Sequence, residues 1–483
     1  CYSKIPESQV DISVFFDENK ISKYISGAED KYIDVIMEKI ERKSEFCGYN
    51  VILLSLPVMT SNSSGLLFTL GLCRFLKKKY NPIVIAGGAR QSIDLLNKYE
   101  CKDIDFVSNG GESMLFRLLS EFKNGLELTE SLDGPRIREN GCKLIAGEPT
   151  PMLKPDFSGL PIDKYKYKGL RTRYSDECRE ILEEFNKSGT LLLPFKFITG
   201  CPYECAFCPM AVNKSMHVLD PATVALYLKE LQEEYNPTGF FFLSDTINIS
   251  RQYVNELCDE IIKNKTKILW SDCARADNLD RDTLFKMREA GCIRLIFGIE
   301  TASSRLLQYI RKGIGVKRLE DTLRWSDEAG IWTGVEIICG LPHEKDSDIE
   351  ETIAFLNKNK RYINTLYINQ FDLRDGSIFL PQAKDLGIEN IFIINQYANE
   401  EFYNFHKYGY DEIGGLRWQD KRRQILSSYK KVSDNTCGNP DCPPYELEHL
   451  LFFLYNKFGD KRLICDIFAK AEAEKNKESF YGL

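Results

Sequence analysis

Between residues 191 and 373 short apolar runs alternate with amphipathic stretches, and this alternation most limits the folds open to the chain. The runs "LLLPFKFITGC" (191–201), "TGFFFLSD" (238–245), "KILWSDCARAD" (267–277), "CIRLIFGIET" (292–301), "WTGVEIICGLP" (332–342) and "INTLYINQFDL" (363–373) read as strands. Helical periodicity fills the gaps, at 221–235, 251–264, 281–290, 303–312, 318–329 and 348–358. Strands joined by helices pair in parallel, since the crossover returns each strand in the same direction. The six units fit within residues 191–373, whereas a closed eight-unit barrel takes about 250 residues. A partial (β/α)6 barrel of the TIM type is therefore expected.

The same alternation occurs earlier on a smaller scale. Strands are expected at 50–57, 82–88 and 104–113, and helices at 65–80, 91–99 and 112–122. This is the pattern of a doubly wound, Rossmann-like parallel sheet. Its glycine turns, at Gly87 and Gly88 and again at Gly110 and Gly111, lie at strand ends where such sheets bind ligands. They serve equally well as plain tight turns. Residues 147–169 carry four prolines and no clean period, so they read as connector. The tail is helical by pattern, interrupted by "SDNTCGNPDCPPYE" (433–446), and is expected to cap the barrel mouth. The fold class is α/β, with a Rossmann-like domain at 1–125, a connector at 126–190, the partial barrel at 191–400 and a helical extension at 401–483.

Composition narrows the function classes. The 483 residues are 43% apolar and 28% charged, ordinary for a folded soluble domain pair. A net charge of −7 argues against a nucleic-acid partner. No uncharged apolar run reaches the roughly 20 residues of a membrane helix. The sixteen cysteines are scattered and no secretion signal precedes them. Reduced thiols in a cytoplasmic setting are expected.

One cysteine group has ligand spacing. In "TGCPYECAFCPM" (199–210), Cys201, Cys205 and Cys208 follow C-x3-C-x2-C, and the next cysteine is Cys258. Structural zinc sites take four ligands. A [4Fe–4S] cube held by three thiolates keeps one iron for a non-protein ligand. The loop follows the first barrel strand, at the face where barrel chemistry gathers.

C-x3-C-x-aromatic-x-C after a first strand resembles the radical S-adenosylmethionine (SAM) superfamily. The resemblance implies that Cys201, Cys205 and Cys208 hold a [4Fe–4S] cluster whose open iron is chelated by SAM. Electron transfer to SAM would then give methionine and a 5′-deoxyadenosyl radical that abstracts hydrogen from substrate. Phe207 would lie near adenine. Ser244 and Asp245, in "FFFLSDT" (240–246), would take the SAM amino group. Glu300, in "FGIET" (297–301), would contact the ribose or carboxylate, with Ser303 nearby. Ile337 and Gly340, in "GVEIICGLPHE" (334–344), would contact adenine. Arg275 and Arg311, or Lys312 beside it, are candidates for carboxylate pairing, and a plain salt bridge would explain each as well.

A small α/β domain, a "PDFSGLP" connector and then the barrel resemble radical SAM proteins with a cobalamin-binding-type domain. That match covers about residues 45–380. The four histidines are His217, His343, His406 and His449, so none in the first 200 residues can ligate cobalt from below. Cobalamin binds without a protein imidazole, or the domain is a relic. Three outcomes follow. The favoured one resembles peptide epimerases, with Cys437, Cys442 or Cys339, and then Cys273, as hydrogen donor. The alternatives are a cobalamin-dependent methyltransferase and a crosslink-forming maturase. The partners implied are a peptide substrate with a leader segment and a flavodoxin- or ferredoxin-type reductant. A non-enzymatic scaffold is disfavoured by the intact cysteine loop.

Overall fold

A computed structural model describes residues 17–44, 49–56, 63–88, 102–108, 138–139, 142–145, 152–169, 179–211, 216–374, 376–394, 407–436 and 444–469. The chain divides into two compact units, Cys1–Pro151 with Ile393–His406, and Met152–Phe392 with Lys407–Leu483.

The first unit begins with two helices that the strand pattern did not announce, α1 (Glu18–Ser26) and α2 (Lys31–Ser44). Asp17 starts α1 by accepting from the Lys20 amide, one of the donors a helix leaves unpaired. Strand β1 (Val51–Leu56) leads through α3 (Ser63–Tyr80) to β2 (Ile83–Gly88) and β3 (Phe106–Ser108), followed by β4 (Arg138–Glu139) and β5 (Cys142–Ile145). The sheet order is β1-β2-β3-β5-β4. All neighbours are parallel except β4 and β5. Leu67, Leu70 and Leu76 of α3 bury against Ile21, Ile33 and Met37 of α1 and α2, and against Val84 and Ala86 of β2. The expected helices at 91–99 and 112–122 lie outside the described residues.

The second unit opens with α4 (Arg179–Ser188) and β6 (Leu192–Phe195). A short ladder, β7 (Ile198–Thr199) against β8 (His217–Val218), holds the two ends of the cysteine loop. Then come α5 (Pro221–Tyr235), β9 (Gly239–Phe242), α6 (Arg251–Lys263), β10 (Trp270–Ala274), α7 (Arg281–Glu289) and β11 (Cys292–Glu300). They are followed by α8 (Ser304–Tyr309), α9 (Val316–Glu328), β12 (Trp332–Cys339), α10 (Asp346–Lys358) and β13 (Thr365–Gln370). The sheet order β13-β12-β11-β10-β9-β6 is sequential and every pair is parallel, as a six-unit partial barrel requires. Local sequence starts the helices where they start. Asp220, Ser250 and Asp280 each cap through the side chain onto the amide three residues on, and Pro221 pre-sets the first turn of α5.

Parallel neighbours align side chains on one face, and alternation then sorts each strand. Leu295, Phe297, Val335 and Ile337 pack outward with Val224, Leu228 and Leu257 of the helices. Arg294, Ile296 and Gly298 of β11 align with Trp332, Gly334 and Glu336 of β12, and from Ile296 upward this row lines the concave face.

The tail departs from expectation. A strand enters the 401–483 extension expected to be helical: β16 (Lys407–Glu412) joins β14 (Leu373–Arg374) and β15 (Ile388–Ile393), from the segment assigned to the barrel, in a small sheet before α11 (Trp418–Asn435) and α12 (Pro444–Phe458). Helix α12 does not cap the mouth. Its Leu447, Leu450 and Phe452 pack with Ile293 and Trp332, at the first residues of β11 and β12. A methyl at Gly239, the first residue of β9, would meet the Phe452 ring at 2.2 Å. The apolar face of α12 therefore seals the barrel floor. Among the described residues no helix is long and apolar enough to cross a membrane.

Candidate functional site

The cysteine loop is fixed from both sides at the C-terminal end of the barrel. Gly200, at φ +88°, turns the chain out of β7, and its amide donates to Asp245 Oδ2 at 2.7 Å. Ala206 is tied to the end of α8 through its amide and the Ile310 carbonyl, at 2.8 Å. Gly376 lies so close to the loop that a Cβ would sit 2.1 Å from the Pro209 carbonyl oxygen. A side chain there would displace the loop.

Arg275 organises the space beneath the loop. It is buried, and its fork grips both Asp277 oxygens at 2.8 and 3.0 Å. It also donates to the Lys312 carbonyl and, at 3.1 Å, to Cys205 Sγ. Tyr203 covers the guanidinium from the other side, 3.7 Å from ring centre to Cζ. Asn248, fully buried, holds the Arg275 backbone in turn: Oδ1 accepts the Arg275 amide at 2.9 Å and Nδ2 donates to the Arg275 and Asp277 carbonyls. A buried cation against one thiol and a rigid fork around it suit a loop meant to carry negative sulfurs. This also revises the expected role of Arg275. Its donors are committed to the loop and to Asp277 rather than to a SAM carboxylate.

The residues present fit a cluster. Burial pushes the Cys201 thiol up, and pushes Cys208 up to about 11, so these two sulfurs stay protonated until ligated. Metal ligation is what turns such thiols into thiolates. Among the described residues no three or more His, Cys, Asp or Glu side chains group around a single metal ion.

Beside the loop stands a second buried group. Glu300, ending β11, adopts φ +64°, a conformation rare for a residue with a side chain and seen at functional positions. Its carboxylate folds back over Gly298, where a Cβ would lie 2.5 Å from Oε1. Lys312 Nζ meets that oxygen at 2.8 Å, both residues being buried, and stands 5.7 Å from the centre of the half-buried Phe207 ring. Lys312 and not Arg311 joins the site. Arg311, at φ +55°, turns its side chain out to Gln382 at 2.7 Å.

The remaining expectations divide. Ser244 Oγ and Asp272 Oδ2 are both buried at the end of β9, and the Ser244 hydroxyl and amide face the Asp272 carboxyl. Burial raises the Asp272 carboxyl to about 8. Ser303 is fully buried and its hydroxyl is taken by Asp348 at 2.5 Å, with Arg305 on the same carboxylate. It supports the start of α8 and does not face the loop. Ile337 points outward into the helix layer, 1% exposed, and Ile338 holds the inner position instead. Gly340, at φ +88°, is closed over by Ile425 of α11, where a Cβ would lie 2.3 Å away. Its amide goes to Glu344. Cys339 shares the outward face of Ile337 and is buried against the helices, so its thiol does not face into the barrel. Cys437 and Cys442 lie outside the described residues. Of the groups the sequence reading passed over, Asp277 stood two residues from Arg275 in "CARAD" and Tyr203 stood inside the loop itself. Asn248 carried no local signal.

Comparison with known proteins agrees with this geometry. The radical SAM superfamily model matches residues 195–356. An uncharacterized methyltransferase of Pyrococcus horikoshii is 28% identical over 292 residues, 58% of this chain and 58% of its own. An anaerobic magnesium-protoporphyrin IX monomethyl ester cyclase of Cereibacter sphaeroides is 32% identical over 264 residues, 52% of this chain and 40% of its own. The chain thus spans about half the length of these relatives. Among solved structures, the radical SAM methyltransferase TsrM of Kitasatospora setae, with cobalamin and a [4Fe–4S] cluster bound, superposes with a TM-score of 0.58 at 15% identity. That match covers 92% of this chain and 91% of TsrM, and it shows a shared fold. The superfamily's cofactors are a [4Fe–4S] cluster and SAM.

Proposed function

We propose that this chain, whose residues 195–356 match the radical SAM superfamily model, is a cobalamin-dependent radical SAM methyltransferase. The observation that carries the reading is the three-thiol loop over a buried arginine, Cys205 on Arg275, at the C-terminal end of a partial barrel. Two findings favour methyl transfer. The likeness to TsrM runs through 92% of the chain and so includes the first unit as well as the barrel. The Pyrococcus relative is named a methyltransferase. The peptide epimerisation expected from the sequence has no counterpart among these relatives, and one of its donor thiols, Cys339, faces the helices.

When bound, the cluster and SAM supply a 5′-deoxyadenosyl radical, and cobalamin supplies a transferable methyl group. The chain's own work is positioning. Cys201, Cys205 and Cys208 hold the cluster, and Arg275 offsets their charge. Asp245 fixes the start of the loop through Gly200. Glu300, held by Lys312, and Ser244, beside Asp272, would offer acceptors to SAM's polar groups. The floor sealed by α12 keeps water from entering below. A corrinoid would lie at the strand ends of the first unit without a histidine from residues 1–151, since none precedes His217. The partners in this reading are a flavodoxin- or ferredoxin-type reductant and a peptide substrate.

The test is anaerobic reconstitution with methyl-labelled SAM and added corrinoid. The proposal expects a corrinoid absorption spectrum that co-elutes with the protein, and label in a product heavier by one methylene. A colourless protein that forms 5′-deoxyadenosine and places solvent deuterium in a product of unchanged carbon count would return the case to epimerisation.

A further inference from the structure

The concave face of the barrel holds one carboxylate that the loop and its supports leave unused. Glu336, in the middle of β12, aligns with Gly298 on β11 and Tyr367 on β13. Alternation places it inward, opposite in sense to Val335 and Ile337, and it is half-buried. Among the described residues it makes no hydrogen bond or ion pair.

Its neighbours on that face are matched. Glu300 above it has Lys312, at 2.8 Å. Arg294 below it has Glu448 of α12 and the Tyr367 hydroxyl. Closed barrels fill this interior with branched apolar side chains. Here the inward-facing Ile296, Gly298, Glu336, Ile338 and Tyr367 all keep partial exposure, so the concave face is open beside Glu336, and the half-buried Cys273 lies one layer deeper, level with Ile296 and Gly334. A hollow walled by an unmatched carboxylate is costly to dehydrate unless a ligand brings the missing charge. Burial, and then Glu300, raise the Glu336 carboxyl, while Lys312 and Arg294 lower it. The carboxyl therefore gains most from a cation placed against it.

We propose that Glu336 is the substrate-recognising carboxylate of the barrel and that it takes a cationic nitrogen of the substrate. That the occupant is substrate rests on the radical SAM reading. That the hollow prefers cations does not.

Cys273 provides a reporter that needs no knowledge of the substrate. The metal-free protein is treated with a trimethylammonium-bearing and with a sulfonate-bearing methanethiosulfonate, and the rate at Cys273 is read by peptide mass spectrometry. The rate ratio is divided by that for a small free thiol. A cationic preference of about fivefold or more is expected for an uncompensated charge within several ångströms in a screened cavity. Glu336→Gln should bring the ratio to about one and Glu336→Asp should keep it. A preference that survives Glu336→Gln, or no labelling of Cys273 by either reagent, overturns the proposal. In the reconstituted protein, Glu336→Gln should leave SAM affinity unchanged where Glu300→Gln weakens it. Equal weakening by both would make Glu336 a SAM residue and overturn the assignment to substrate. If the wild type forms no 5′-deoxyadenosine, the enzyme reading fails while the cation preference at Cys273 still stands or falls on its own.

Discussion

The mouth and the floor of the barrel are built from the same parts and serve different ends. Each centres on a buried arginine with a tyrosine and a carboxylate: Arg275 with Tyr203 and Asp277 above, Arg294 with Tyr367 and Glu448 below. At the floor the helix α12 brings Glu448 to Arg294 and Ser271, and Phe452 against Gly239. The main charges there find partners. At the mouth the arginine spends one donor on a thiol, and Glu300 is held in a left-handed conformation. The floor closes on its own ion pair, with Arg294 Nε left over there among the described residues. The proposed function has the mouth finished by what it binds.

This contrast makes predictions that separate the two ends, the largest first. Replacing Cys201, Cys205 or Cys208 by Ala should abolish iron and sulfide incorporation on reconstitution while leaving the melting temperature of the metal-free protein nearly unchanged. Glu448→Ala should do the reverse. Removing one partner of a buried ion pair costs about 3–5 kcal/mol, so the melting transition should drop while the cluster still loads at permissive temperature. If Glu448→Ala instead prevented loading without destabilising, the division of labour would be wrong.

Smaller effects sharpen the picture at each end. Lys312→Met frees the Glu300 carboxylate from its partner and should weaken SAM binding about tenfold, or ~1.4 kcal/mol, measured by equilibrium dialysis. Equal loss with Arg311→Met would refute the choice between these neighbours. At the floor, His449 lies against Thr190 at 2.7 Å and burial lowers its imidazole to about 4. The folded state thus prefers the neutral ring, and the unfolded chain takes up a proton below its ordinary value of about 6.5. Stability should fall as pH drops from about 6.5 to 4, by at most roughly 1.4 kcal/mol per unit and less for the ring's remaining exposure. His449→Gln should flatten that slope in denaturant titrations, and an unchanged slope would assign it elsewhere.

The barrel was legible because period-two strands and period-3.6 helices alternate with little ambiguity. Helix α5, expected at 221–235, is observed over Pro221–Tyr235, and the cysteine spacing identified the loop before any geometry was known. What failed did so for local reasons. Within "GVEIICG" the apolar pair Ile337 and Ile338 hides which one faces inward, and only the pairing with β11 resolves it. Arg311 and Lys312 are equivalent as sequence, and a left-handed turn at the first sends the second inside. Arg275 could be flagged as a charge near the site but not as the partner of Cys205, seventy residues away. The apolar face of α12 was visible in "LEHLLFFLY", yet nothing in it says which end of a barrel it covers.

The central claim is that the mouth is completed by a three-thiol cluster with one iron open to SAM. It is tested most directly by electron paramagnetic resonance of the reconstituted, dithionite-reduced protein with and without SAM. The account predicts a reduced [4Fe–4S] signal whose g-values move when SAM is added, lost in Cys205→Ala. A protein that loads zinc instead, or a cluster signal indifferent to SAM, would contradict it.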